Sequence, residues 1–145
     1  MALSRRVFLV GGAAPAARAV AGDYDVRAFG ARGDGSVDDT RAVQSAIDQC
    51  SRTGGRVVFP PGEYRTGMIR LKSHVTIELL NQAVWRAIPD VSLYPKVMDR
   101  LPGTFLFAEN EEDLHITGQG KIHGSGDAHE AFIPWKEQTK GPRPF

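Results

Sequence analysis

The sequence predicts an all-β solenoid, short strands stacked coil upon coil, with a single capping α-helix at its front. Three observations predict it. From residue 55 onward, short runs rich in β-branched and aromatic residues follow one another, each bounded by Gly, Pro or Asn. Equivalent runs recur about every 20–25 residues, a period at which one coil can stack on the next. A helical period occurs once, ahead of the first coil, where a stack needs a cover for its open apolar end. A sandwich would also give short strands with frequent turns. The lone amphipathic helix favours the solenoid.

The first residues read as an address. Ser4-Arg5-Arg6-Val7-Phe8-Leu9 pairs two arginines with a Phe-Leu and a mild apolar run, the pattern of a twin-arginine export signal. The apolar stretch over residues 7–17 is broken by Gly11, Gly12 and Pro15, so it is too short and too weak to span a bilayer. Ala19-Val20-Ala21 suits cleavage after Ala21. Residues 1–21 are therefore expected to be a removable signal. Residues 22–145 are expected to work outside a bacterial cytoplasm, in the periplasm or beyond, with the twin-arginine machinery as a transport partner and no membrane anchor. An ordinary secretory signal or a disordered basic terminus is the plainer reading.

The remaining elements follow in order. Residues 24–29 alternate apolar and polar, as a half-buried strand does. Gly30, Gly33 and Gly35 punctuate a loop. Ser36 or Asp38 offers an N-cap, and Ser36-Val37-Asp38-Asp39 has capping-box spacing. From Thr40, the residues Val43, Ala46, Ile47 and Cys50 fall on one helical face, and Gly54-Gly55 ends the helix. Strands are then expected over residues 56–59, 64–71, 74–80 and 83–88, with turns at Pro60-Pro61-Gly62 and Asn81-Gln82. Residues 89–102, which carry several prolines, read as an insertion loop. Strands resume over residues 105–108, 114–117 and 121–124.

Composition excludes several functions. Without Arg5, Arg6 and Arg18, the rest of the chain carries 15 bases against 17 acids, interspersed. A nucleic-acid or membrane surface would need clustered positive charge. The single cysteine, Cys50, cannot form an internal disulfide. Its place on the apolar helix face makes it a buried, inert thiol rather than a nucleophile.

Candidate chemistry is sparse. Glu109, Glu111, Glu112 and Asp113 cluster between two strands and read as a solvated turn. Asp34, Asp38 and Asp39 lack the alternating donors and closing glutamate of a calcium loop, so helix capping and loop ordering explain them. His74, His115, His123 and His129 show no metal spacing, and no cofactor is called for. His115 is expected to face solvent between a buried Leu114 and Ile116. Gly118-Gln119-Gly120 is a tight turn rather than a phosphate cradle, because no helix follows it. Trp85 reads as core. Trp135, beside Pro134, Lys136 and Lys140, is the candidate substrate-binding residue, with a flat face for sugar rings and lysines for uronate carboxylates.

The sequence also carries a resemblance. Phe29-Gly30-Ala31-Arg32-Gly33-Asp34-Gly35, Asp38-Asp39-Thr40, and Gly54-Gly55-Arg56-Val57-Val58-Phe59-Pro60-Pro61-Gly62-Glu63-Tyr64 resemble the front of pectin-lyase-like proteins. That block is shared by hydrolases, lyases, epimerases and phage tail spikes. Leu71-Lys72-Ser73-His74-Val75-Thr76-Ile77, then Ile116-Thr117-Gly118-Gln119-Gly120-Lys121-Ile122-His123-Gly124-Ser125-Gly126, with Pro134-Trp135-Lys136, are most similar to polygalacturonase-like glycoside hydrolases of family 28. The resemblance covers residues 24–145.

It implies a right-handed parallel β-helix and inverting hydrolysis of pectic polysaccharide, an acidic plant polymer, without a cofactor. One departure is His123, where the family usually has aspartate; the position is expected to be a coil turn. The family's catalytic aspartates, its Gly-His-Gly histidine and its basic residue near an Arg-Ile-Lys pattern match nothing in this sequence. No residue here is therefore assigned to catalysis, and the chain is expected to be a truncated front portion of a longer enzyme. A lyase or epimerase relative, a non-catalytic glycan-binding module, and a truncated product without function are the alternatives.

Overall fold

The computed structural model describes residues 22–97 and 103–125. The expected signal, with Arg5, Arg6 and Ala21, lies outside the described residues, as do Trp135 and His129. Ten strands occur among the described residues: β1 (Gly22–Asp25), β2 (Asp34–Asp38), β3 (Gly55–Phe59), β4 (Gly62–Thr66), β5 (Ile69–Arg70), β6 (Val75–Leu79), β7 (Ala83–Ala87), β8 (Leu106–Phe107), β9 (His115–Gly118) and β10 (Lys121–His123). One α-helix, α1 (Thr40–Thr53), stands between β2 and β3.

The strands form three sheets, in the orders β1-β3-β6-β9, β10-β7-β4-β2 and β5-β8. Every pairing is parallel. Parallel neighbours need a long crossover, and here the crossover is the remainder of the coil. The chain visits each sheet once per turn and comes back beside itself: Val57 pairs with Ile77 and Ile77 with Ile116, while Tyr64 pairs with Trp85 and Trp85 with Ile122. The larger step to Ile116 contains the expected insertion loop. This is a parallel β-helix.

Parallel sheets are usually covered on both faces and read as continuous apolar runs. These alternate instead, and β6 and β7 are buried at every second residue. The three sheets close on one another, so each has one dry face. Inside, the Phe59 and Trp85 rings stack with centroids 4.8 Å apart, Tyr64 meets Phe59 edge-on at 5.3 Å, and Phe105 meets Trp85 at 5.5 Å. The Trp85 indole N–H donates to Thr66 Oγ1 at 2.8 Å, both residues being fully buried.

Helix α1 lays Val43, Ala46, Ile47 and Cys50, all fully buried, against the core. Its polar side closes open strand edges. The Gln44 amide accepts from the Arg70 backbone N–H at 2.9 Å and donates to the Arg70 carbonyl at 3.0 Å, taking the place of a neighbouring strand beside β5. Thr40 Oγ1 accepts from the Gly67 N–H at 2.8 Å. Among the described residues no helix is long and apolar enough to cross a membrane.

Several expectations need correction. Residues 24–29 are not one strand. Asp25 accepts from the Arg27 N–H at 2.8 Å and nucleates a 3-10 turn, Val26–Phe29, which Gly30 ends at φ +102°. Neither Ser36 nor Asp38 caps the helix, because both belong to β2, and Ser36 is engaged by Asp34. The cap position is Asp39, whose carboxylate turns away to accept from Arg32 N at 2.8 Å and Gly33 N at 3.2 Å. Asp38 serves the helix from one residue further out, accepting from Thr40 N at 2.8 Å. The run over residues 64–71 breaks at a corner between β4 and β5.

Leu114 is half-buried, but Ile116 is 45% exposed, because β9 is the outermost described strand of its sheet. His123 lies within β10 rather than in a turn; its Nδ1 accepts from Ser125 N at 3.1 Å and lies 3.3 Å from Arg86 Nη1. The insertion is tethered. Tyr94 is buried, its hydroxyl donates to the Ile88 carbonyl at 2.6 Å, and burial pushes its pKa up to about 12.

Trp85→Ala should lower the free energy of unfolding by about 3–5 kcal/mol. Thr66→Val, which strands the indole N–H, should lower it by about 1–3 kcal/mol. Chemical denaturation followed by circular dichroism measures both, and a cost near zero for Trp85→Ala would contradict the packing described.

Candidate functional site

Alternation along β5 and the residues after it sends Ile69 and Leu71 inward and leaves Arg70 and Lys72 on the outside. One coil later, β8 runs alongside in register, Ile69 beside Leu106 and Arg70 beside Phe107. The Leu71 N–H donates to the Phe107 carbonyl at 2.8 Å and extends the pairing past the strand. The Arg70 guanidinium lies over the Phe107 ring, 5.3 Å from its centroid. Between the coils is a cleft of about 100 Å³, lined by Arg70, Leu71, Lys72, Phe107, Glu109 and Glu111.

The rim of this cleft is a polar corner. Glu111 folds back onto the preceding coil and accepts from the Ser73 N–H at 2.6 Å and the Ser73 hydroxyl at 2.5 Å. The Ser73 oxygen in turn accepts from Glu112 N at 3.0 Å, and His74 N donates to the Glu112 carbonyl at 3.1 Å. Asp113 sits between two imidazoles, 3.5 Å from His74 Nδ1 and 3.2 Å from His115 Nε2. His74, Asn110 and Asp113 all adopt positive φ, from +54° to +61°, a region that Asn, Asp and His enter more readily than most residues.

The Ser73 hydroxyl and amide hold the Glu111 carboxyl below the usual carboxylate range, with smaller help from Lys72 and His74. The His115 imidazole does the same to Asp113, aided by His74. Asp34 and Asp90 are lowered by Ser36 and Ser92. Inverting glycoside hydrolysis needs one carboxylic acid whose pKa is raised so that it can give up a proton. Each resolved carboxyl shift among the described residues runs the other way.

Sequence-predicted positions divide clearly. Glu109, Glu111, Glu112 and Asp113 do form an exposed turn, and Asp34, Asp38 and Asp39 do order the loop before α1. Trp85 is interior. Among the described residues no cluster of three or more His, Cys, Asp or Glu is arranged to hold a metal. Trp135 lies outside the described residues. The residues missed from sequence are Arg70, Lys72 and Phe107. The alternation Ile69-Arg70-Leu71-Lys72 already placed both cations on one face; what it could not supply was the ring of the next coil.

Comparison with known proteins fits this architecture. Residues 24–78 match the family described as rhamnogalacturonase A/epimerase, pectate lyase-like. Over 117 residues the chain is 32% identical to the exo-poly-alpha-D-galacturonosidase of Dickeya chrysanthemi, covering 70% of this chain and 19% of that protein. It superposes on a hyperthermoactive exopolygalacturonase from Thermotoga maritima with a TM-score of 0.71 at 32% identity, covering 85% of this chain and 30% of that one. This chain is similar to pectin-lyase-like proteins over residues 24–78 and resembles the family-28 polygalacturonases over most of its length. Over 64 residues it is also 47% identical to a mannuronan C5-epimerase of Azotobacter vinelandii, covering 38% of this chain and 5% of that protein. The chain thus spans less than a third of each of these relatives.

Because Glu111 is lowered in the folded state, the Ser73 contact stabilises the β-helix at neutral pH and is lost as pH falls through that lowered value. The melting temperatures of the wild type and Glu111→Gln should therefore differ at neutral pH and converge in acid, below the ordinary glutamate range. A difference that persists undiminished in acid would contradict the assignment.

Proposed function

We propose that the chain forms the cap and first coils of an exported polygalacturonase-like hydrolase that cleaves pectic polysaccharide with inversion and without a cofactor. The observation that carries this reading is the superposition on the T. maritima exopolygalacturonase, which runs through the described coils rather than through the shared front block alone. Inversion needs two carboxyl groups roughly 6.5–9.5 Å apart, an acid for the leaving oxygen and a base for water. The relatives are more than three times as long as the part this chain matches, and the reading assigns the pair to further coils of the whole enzyme. The coils described provide a rigid, capped platform from which those coils continue in register.

Export through the twin-arginine route, guided by Arg5 and Arg6 with cleavage after Ala21, completes the reading and puts the enzyme in the periplasm or outside the cell. A second reading is a β-helix module that grips an acidic glycan without cleaving it. The likeness to a mannuronan epimerase keeps an epimerase or lyase relative as a third.

The purified chain incubated with polygalacturonate should release no reducing ends above background; measurable release would overturn the placing of catalysis elsewhere. Retention on a polygalacturonate gel without turnover would favour the binding module. Export of a reporter fused behind residues 1–21 should be abolished by replacing Arg5 and Arg6 with lysine, and export that survives would remove the twin-arginine assignment.

A further inference from the structure

The cleft between β5 and β8 holds two cations outside any close ion pair, although Lys72 acts on the Glu111 carboxylate at longer range. Among the described residues no carboxylate lies within ion-pair distance of the Arg70 guanidinium or the Lys72 ammonium. Other arginines do form ion pairs: Arg56 bridges Asp23 at 2.7 Å and Glu78 at 2.5 Å, and Arg86 meets Glu63 at 3.0 Å. Arg70 is also preorganised. Gln44 fixes its backbone through both N–H and carbonyl, and the guanidinium carbon lies over the Phe107 ring, 5.3 Å from its centroid. A planar fork of donors that lines the cleft beside an aromatic ring suits a planar carboxylate.

The acids of the lining sharpen the choice of ligand. Glu111 is occupied by Ser73, which leaves Glu109 as the acid without a partner. Two cations against two glutamates make the lining neutral overall. A singly charged carboxylate is tolerated there, whereas a doubly charged phosphate meets more repulsion than the two cations offset.

We propose that the cleft lined by Arg70, Lys72 and Phe107 is a uronate subsite, in which Arg70 and Lys72 grip the carboxylate of a sugar acid while Phe107 holds the guanidinium in position. This rests on the reading of the chain as part of an enzyme acting on acidic polysaccharide, and it adds which residues meet the charge.

The test is a titration of the full chain with trigalacturonate, followed by calorimetry and by backbone-amide NMR. Shifts should centre on residues 70–73 and 107–111. Arg70→Gln and Lys72→Gln should each weaken binding about tenfold, the loss of one charged hydrogen-bonding partner. Glu109→Gln should tighten it. The carboxyl-reduced, neutral trisaccharide should not bind, and inorganic phosphate should not compete. Thermal melts establish that the variants fold; should Arg70→Gln lose its fold, the opposite signs at Lys72 and Glu109 decide.

Trigalacturonate binding that is unchanged in both cation variants overturns the subsite and leaves the pectic reading standing. Binding of trimannuronate through Arg70 with none of trigalacturonate keeps the subsite and removes the pectic reading. Equal competition by phosphate, or no binding of either uronate, overturns the subsite.

Discussion

A strand that can pair only with its own chain one coil later imposes a single constraint on everything else. Each circuit must return the backbone to the same place, one strand spacing (about 4.8 Å) further along. The in-register pairs Val57–Ile77 and Tyr64–Trp85 show the constraint met on two sheets at once. Inward residues then stack on inward residues, Phe59 on Leu79 and Tyr64 on Trp85, and the Phe59–Trp85 ring pair packs across the interior between two of the sheets. Corners have to be sharp. At Gly118, φ is +109° and an added Cβ would collide with the Leu79 carbonyl, so glycine there is a condition of the fourth coil lying down on the third. Gly33 is needed for a similar reason, since a Cβ there would come 2.7 Å from the Tyr64 ring.

The same constraint creates the front-end problem that α1 solves. Among the described residues no coil stacks ahead of the first, so its apolar end and strand edges need partners of another kind. The apolar stripe of α1 answers the first need. Gln44 answers part of the second, because a side-chain amide carries the same donor and acceptor as a peptide group and can bond to both sides of Arg70. The contact also ties cap to cleft: the residue that Gln44 fixes is the one whose guanidinium lies over Phe107.

Much of this was legible in the sequence, and what was not has physical causes. The helix face Val43, Ala46, Ile47 and Cys50, the glycine stop and the turn at Asn81-Gln82 depend on spacing alone and were read correctly. The 3-10 turn at Val26–Phe29 was missed because its alternating residues suit a strand, and a single Asp25 side-chain bond decides otherwise. β2 was read as loop because Gly and Asp are poor strand formers, and only its pairing with β4 makes it one. Ile116 shows the limit of alternation, which assigns a residue to the inner face but does not say how well that face is covered. The cleft was hidden for the most general reason. Arg70 and Phe107 are far apart in sequence and become neighbours only through the coil register.

Function inherits this dependence. The proposed subsite draws on two successive coils and so depends on their register, and the Arg70–Phe107 pair exists through that alignment alone. Nuclear Overhauser spectroscopy on the folded chain tests the register most directly. In-register parallel contacts should connect the backbone of Val57 to that of Ile77 and the backbone of Tyr64 to that of Trp85. Close Hα–Hα contacts between consecutive strands β3 and β4, the mark of an antiparallel hairpin, would contradict the coil and everything placed upon it.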